Sequence, residues 1–158
     1  MKTAVMDTPI GALQIKGDQD GICEVLFIED TDFTQPQEIP SLLWDAVNQL
    51  QEYFDQKRTF FDLNLNPVGT DFQKKVWRVL ADIPFGKTTS YLAIAKQLGD
   101  PKVIRAAASA NGKNPISIII PCHRVIGSDG SLTGYSGGLH RKKWLLAHES
   151  PVTQQSLF

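Results

Sequence analysis

The stretch TTSYLAIAKQLG, Thr88 to Gly99, runs without a spacer into DPKVIRAAASANG, Asp100 to Gly112. This junction constrains the fold more than any other feature of the chain. Thr89 is a candidate N-cap for a short helix that Gly99 stops, since glycine ends helices at no steric cost. Asp100 can cap a second helix, Pro101 suits its first position, and Asn111-Gly112 ends it. Two short helices joined by so tight a turn predict a helix-turn-helix. An amphipathic helix begins near Asp71, with Phe72, Val76, Trp77 and Leu80 on its apolar face, and IPFGK breaks it.

The second helix of the pair carries Arg105 and then Ala106, Ala107, Ala108, Ser109 and Ala110. A helix that reads base edges needs Asn, Gln, Arg or Lys along its length, and this one has almost none. The small side chains either pack on the core or let the backbone approach a partner closely. If the partner is DNA, binding is largely sequence-independent, with Arg105 as the one long probe. Charge supports a polyanionic partner for this half. Residues 1–70 hold 4 basic and 12 acidic side chains, residues 71–158 hold 12 basic and 5 acidic, and the net charge of −1 conceals the division.

The first half reads differently. Three β-like runs, KTAVMDT, ALQIKGD and CEVLFIED, are separated by the turn signals TPIG and DQDG. TDFTQPQEIP is a polar loop. From Ser41 a helical pattern places Leu43, Val47, Leu50 and Phe54 on one face, with Trp44 and Tyr53 adjoining it. We expect an α+β chain with three parts: a mixed domain over 1–66, a helical domain over 67–150 that includes the helix-turn-helix, and a flexible tail over 151–158. At 158 residues and 42% hydrophobic content the chain can build a core. No apolar stretch is long enough to span a membrane, and MKTAVMDTPI has no signal-peptide apolar region. Two cysteines, Cys23 and Cys122, make no disulfide framework. The expectation is a soluble, cytoplasmic, monomeric protein of a reducing compartment.

IIIPCHRVIG, Ile118 to Gly127, is where chemistry concentrates. The apolar run reads as a buried strand that stops at Pro121 and presents Cys122 beside His123 at a surface. Cys122 is the candidate nucleophile, or else a core cysteine. Neighbouring side chains in an extended strand point apart, so His123 acts as its base only through a bend or a bridging water. Glu149, closing RKKWLLAHE, is a candidate to orient the imidazole. Cys23, inside a β-like run, reads as structural, and His140 and His148 as surface or packing residues. Two cysteines and three histidines at these spacings match no zinc pattern. GSDGSLTGYSGG, Gly127 to Gly138, is either a plain surface loop or one whose backbone approaches a ligand, with Tyr135 as a flat face for stacking.

Taken together, RAAASANGKNPISIIIPCHRVIGSDGSLTGYSGG and WLLAHE closely resemble the O6-alkylguanine-DNA alkyltransferases, also called methylated-DNA–protein-cysteine methyltransferases. The match runs from about Phe72 to Glu149, and the first half fits the family's N-terminal domain more loosely. The resemblance implies that Cys122 accepts the alkyl group, that His123 deprotonates it through a water, and that Glu149 holds His123. It implies that Asn114 braces the active-site turn and that Tyr91 acts near the flipped nucleotide's phosphate and the leaving base. Arg105 would fill the vacated stack, with Tyr91 and Ser128 also at the DNA. Backbone groups at Cys122 and Val125 would recognise guanine, and Tyr135 and Ser136 would line its pocket.

The implied reaction is a single-turnover transfer from O6 of guanine, or O4 of thymine, in duplex DNA, after the base is flipped out. It needs no cofactor and no metal. The alternative is a non-enzymatic protein that binds alkyl lesions without removing them. Relatives that only flag lesions carry tryptophan or alanine at the acceptor position, and this chain keeps Cys122. The tail segment Gln154-Gln155-Ser156-Leu157-Phe158 resembles the short peptide by which bacterial repair and replication proteins dock on the sliding clamp.

Overall fold

The computed structural model of the protein describes residues 1–29 and 38–150. It divides into two compact units, one of residues 1–68 with 115–119, the other of residues 69–114 with the chain from 120 onward. No helix among the described residues is long and apolar enough to cross a membrane.

The first unit is a three-stranded antiparallel meander: β1 (Lys2–Thr8), β2 (Gly11–Asp18) and β3 (Gly21–Ile28). Thr8 pairs with Gly11 across the first turn, where the Thr8 hydroxyl donates to the Gly11 carbonyl at 2.7 Å. Gly21 closes the second turn at φ +134°, a conformation that favours glycine. Buried residues alternate along β2, with Leu13 and Ile15 facing the core. A single 3₁₀ turn at Ser41–Leu43 leads into α1 (Trp44–Phe54). Leu43, Val47, Leu50, Tyr53 and Phe54 are buried as the helical spacing predicts. Trp44 departs from that face: it is 56% exposed, its indole donating to the Ile39 carbonyl at 2.8 Å.

The second unit opens with α2 (Asp71–Ala81), started by a capping box: Gln73 N–H donates to Thr70 Oγ1 at 3.1 Å and Thr70 N–H to Gln73 Oε1 at 2.9 Å. Val76, Trp77 and Leu80 are its buried face, and the Trp77 indole donates to the Ala110 carbonyl at 2.9 Å. Next come β4 (Thr89–Ser90), α3 (Tyr91–Gln97) and, after a 3₁₀ turn at Pro101–Val103, α4 (Ile104–Gly112). The cap of α3 is Ser90, not Thr89: the helix begins at Tyr91, and the Ala93 N–H donates to Ser90 Oγ at 3.1 Å. Gly99 at φ +97° stops α3, and the Asp100 side chain accepts from Lys102 N–H at 2.9 Å with Pro101 beginning the next turn. Beyond α4, β5 (Val125–Ile126) pairs in parallel with β4, and α5 (Leu139–Glu149) closes the described chain.

The apolar run before Pro121 is not a strand. Ile116 makes one parallel bridge with Val25, secured by Val25 N–H to the Pro115 carbonyl at 2.9 Å and Ser117 N–H to the Val25 carbonyl at 2.8 Å. The chain then turns at once, with Ile118 at φ +72°. A β-branched residue there is strained by about 1–3 kcal/mol, and its full burial is what holds it.

Candidate active site

Asn114 ends the helix-turn-helix segment, and its side chain reaches forward to the turn that carries Cys122. Its Nδ2 donates to the Ile120 carbonyl at 2.8 Å, and its side chain also hydrogen-bonds Cys122. Cys122 N–H donates to the same carbonyl at 2.8 Å around Pro121, at φ −83° and ψ 63°, an inverse γ-turn. Cys122, His123 and Arg124 then form one 3₁₀ turn. The thiol expected at a surface is instead 2% exposed. Leaving strand geometry at Ile118 tucks the residue inward.

His123 is fully buried, and its Nε2 lies 2.7 Å from Glu149 Oε2. Burial by itself would raise the Glu149 carboxyl, but hydrogen bonds and charge from His123 and Arg124 outweigh it and hold the group well below the usual carboxylate range. Glu149 is therefore an anion, Nε2 carries the ring proton, and Nδ1 is the basic atom. Nδ1 is buried and has no protein partner among the described residues. Burial also keeps the ring below the ordinary histidine range against the upward pull of Glu149, with Arg124 and Lys142 adding to the fall.

Burial pushes the Cys122 thiol up to about 11 from an ordinary 9.0, although Asn114 and the Lys142 charge pull it down. At neutral pH only roughly one molecule in ten thousand then holds a thiolate. Such a thiol reacts when a base removes its proton, not by resting as an anion. Among the described residues, no group of three or more His, Cys, Asp or Glu side chains is arranged to hold a metal.

Tyr91, at the first position of α3, donates its hydroxyl to the Thr133 carbonyl at 3.2 Å. Val125 is buried in β5, and its carbonyl accepts from Lys142 Nζ at 2.7 Å. Tyr135 is buried, its ring edge-on to His123 at 6.5 Å. Ser136 and Ser128 are exposed on the loop, and Arg105, Ala106 and Ser109 on α4. Ala107 and Ala110 face the core, so the alanine stripe serves both packing and exposure. Gln154, Leu157 and Phe158 lie outside the described residues. Cys23 is half-buried in β3, its thiol near the Lys16 carbonyl at 3.6 Å. His140 is exposed, and His148 stacks on Trp144 at 4.8 Å.

Two site residues escaped the sequence reading. Arg124 binds Glu149 through Nε at 2.7 Å and Nη2 at 3.0 Å. Lys142, with no exposed surface, donates to the carbonyls of both Val125 and Thr133 at 2.7 Å. The signal for Lys142 was its spacing: residues 142, 145 and 149 share one face of α5, and the charged members at both ends hide an inward face.

Residues 1–67 match the family model for the ribonuclease-like domain of 6-O-methylguanine DNA methyltransferase, and residues 71–151 that for its DNA-binding domain. The methylated-DNA–protein-cysteine methyltransferase of Methanosarcina barkeri is 45% identical over 152 residues, covering 92% of this chain and 94% of that protein. That of Mycobacterium bovis is 46% identical over 147 residues, covering 91% and 89%. The crystal structure of Mycobacterium tuberculosis OGT in complex with DNA superposes with a TM-score of 0.83 at 44% identity, covering 98% of each chain. Family models matched along both halves, with relatives 45–46% identical over nine-tenths of the chain, place the chain in the 6-O-methylguanine DNA methyltransferase family.

Proposed function

We propose that this protein repairs alkylated DNA by moving the alkyl group of O6-alkylguanine onto its own Cys122, once per molecule. The observation that carries this reading is the buried pair of His123 and Glu149, next in the chain to the buried Cys122, with His123 Nδ1 lacking a hydrogen-bond partner among the described residues. The thiol proton passes through a bridging water to Nδ1, and the imidazolium so formed is stabilised by Glu149. Sγ then attacks the alkyl carbon, the carbon–O6 bond breaks, and guanine leaves as its anion to take up a proton. The product thioether has no route back to thiol, so the protein is consumed.

The other roles follow from position. Asn114 sets the acceptor turn by holding the Ile120 carbonyl. Tyr91 supports the leaving base, which requires its hydroxyl to exchange Thr133 for the substrate. Arg105, exposed on α4 in the basic half, enters the stack when the base swings out, at a cost of a few kcal/mol that its stacking offsets. Ser128 meets the backbone of duplex DNA. Val125, Tyr135 and Ser136 bound the guanine pocket. The Val125 carbonyl already accepts from Lys142 and keeps a second lone pair for the base. Docking of Gln154, Leu157 and Phe158 on a sliding clamp rests on the tail sequence alone. Clamp binding that survives deletion of the last five residues ends that idea.

Intact mass after mixing with a duplex carrying O6-methylguanine tests the reading. One added methyl per molecule, mapped to the Cys122 peptide and absent in Cys122→Ala, is expected. Tight lesion-selective binding without any mass change replaces transfer with lesion flagging.

A further inference from the structure

The carboxylate that orients the imidazole has a second partner. Arg124 takes both oxygens of Glu149, Nε to Oε1 at 2.7 Å and Nη2 to Oε2 at 3.0 Å, and Oε2 is also the atom that faces His123 Nε2. The third edge of the guanidinium is fixed as well: Nη1 donates to the Ile83 carbonyl at 2.6 Å, and the cation lies 5.8 Å from the Phe85 ring centroid. Arg124 is 6% exposed, Glu149 2% and His123 0%. A bidentate fork fixed at three edges is a geometry that lysine cannot reproduce.

We infer that Arg124 is a positioning residue for the transfer: by binding both oxygens of Glu149, it lets that carboxylate orient the His123 ring while the ring stays uncharged and free to accept the thiol proton at Nδ1. This rests on the reading of His123 as the base. A buried carboxylate beside an imidazole, with no other cation, is balanced most easily by a second proton on the ring. The resulting imidazolium orients well but has no lone pair left for the thiol. With Arg124 in place the carboxylate is already balanced. The groups that act on the ring are Glu149 and Lys142 from α5, Arg124 and Cys122 from its own turn, and Tyr135 from the loop before α5. Only Glu149 draws a proton toward the ring. Lys142 donates to the Val125 and Thr133 carbonyls, and Arg124 is the cation paired with Glu149 at 2.7 Å.

The test is the single-turnover rate of methyl transfer against pH, with the full chain, an O6-methylguanine duplex, and the variants Arg124→Met, Arg124→Lys and His123→Gln. An opposite charge freed from its partner moves a pKa by about 1–3 units. The acid limb of the R124M profile is therefore expected to rise by at least about one pH unit, so that at pH below both limbs the loss relative to wild type is about tenfold greater than on the alkaline plateau. R124K, which keeps the charge without the fork, falls between. A loss equal at every pH makes Arg124 merely structural and overturns the inference. If H123Q matches wild type throughout, it is the reading of His123 as base that fails. If R124M does not fold, NMR titration of His123 in the wild-type protein still decides: a ring that protonates above about pH 7 refutes the inference.

Discussion

Raising the pH should unfold this protein by a route that belongs to one thiol. Cys122 titrates at about 11 in the folded chain against an ordinary 9.0. A folded-state pKa above the unfolded value means that the unfolded chain loses its proton first. Stability is intact below about pH 9 and falls as pH rises toward the folded pKa, by about 1.4 kcal/mol per unit and about 2.7 kcal/mol in all. That is a large share of the 5–15 kcal/mol that typically holds a domain together. The assay is urea unfolding at steps of pH between about 8 and 11, under reducing conditions, for wild type and Cys122→Ala. Lysines, tyrosines and Cys23 titrate in both proteins, so only the difference between the two curves matters. The wild type should lose its stability advantage progressively above about pH 9. Parallel curves would show that the fold does not press on this thiol, and the argument for an obligatory base would go with it.

Other substitutions probe the surroundings. Glu149→Gln leaves Arg124 buried without its carboxylate, and should cost about 3–5 kcal/mol in urea unfolding and slow methyl transfer by about 10²–10⁴-fold. Thr70→Ala removes the α2 capping box and should lower stability by about 1 kcal/mol with transfer unchanged. Gly69→Ala would put a Cβ 2.5 Å from the Trp77 ring, so a loss of about 1–3 kcal/mol is expected, together with a change in tryptophan fluorescence. Arg105→Ala should leave unfolding within about 0.5 kcal/mol while weakening binding to a lesion duplex, read by fluorescence anisotropy.

The elements legible in the sequence were those with local causes. Turn residues delimit β1, β2 and β3, and the Gly99-Asp100-Pro101 junction fixes α3 and α4. Where a partner distant in sequence decides, local reading fails. Thr89 reads as a good cap on paper, but the helix starts at Tyr91, so the role falls to Ser90, whose Oγ accepts from Ala93 N–H. Ile118, Ile119 and Ile120 have strong strand propensity but no strand to pair with beyond Ile116, so they bury their side chains in a turn. Cys122, His123 and Glu149 stood out as candidates from the residues themselves, the family resemblance supplied their expected roles, and the structure brings His123 and Glu149 together. Arg124 and Lys142 were passed over because a basic residue is read as solvated unless its partner is known, and the spacing that marks Lys142 as inward-facing is a weak signal by itself. Those partners are Glu149, 25 residues away, and backbone carbonyls.

The bridge between Val25 and Ile116 makes the boundary between the halves deceptive. A cut after Val68 looks like the natural seam, yet no single scission separates the two compact units, because residues 115–119 are held on β3 although they are encoded with the other half. Severed there, the second fragment would take with it an isoleucine-rich ribbon deprived of its template, and the first would be left with an open edge at Val25. Swapping N-terminal halves between relatives therefore amounts to re-registering a strand pair six residues before Cys122.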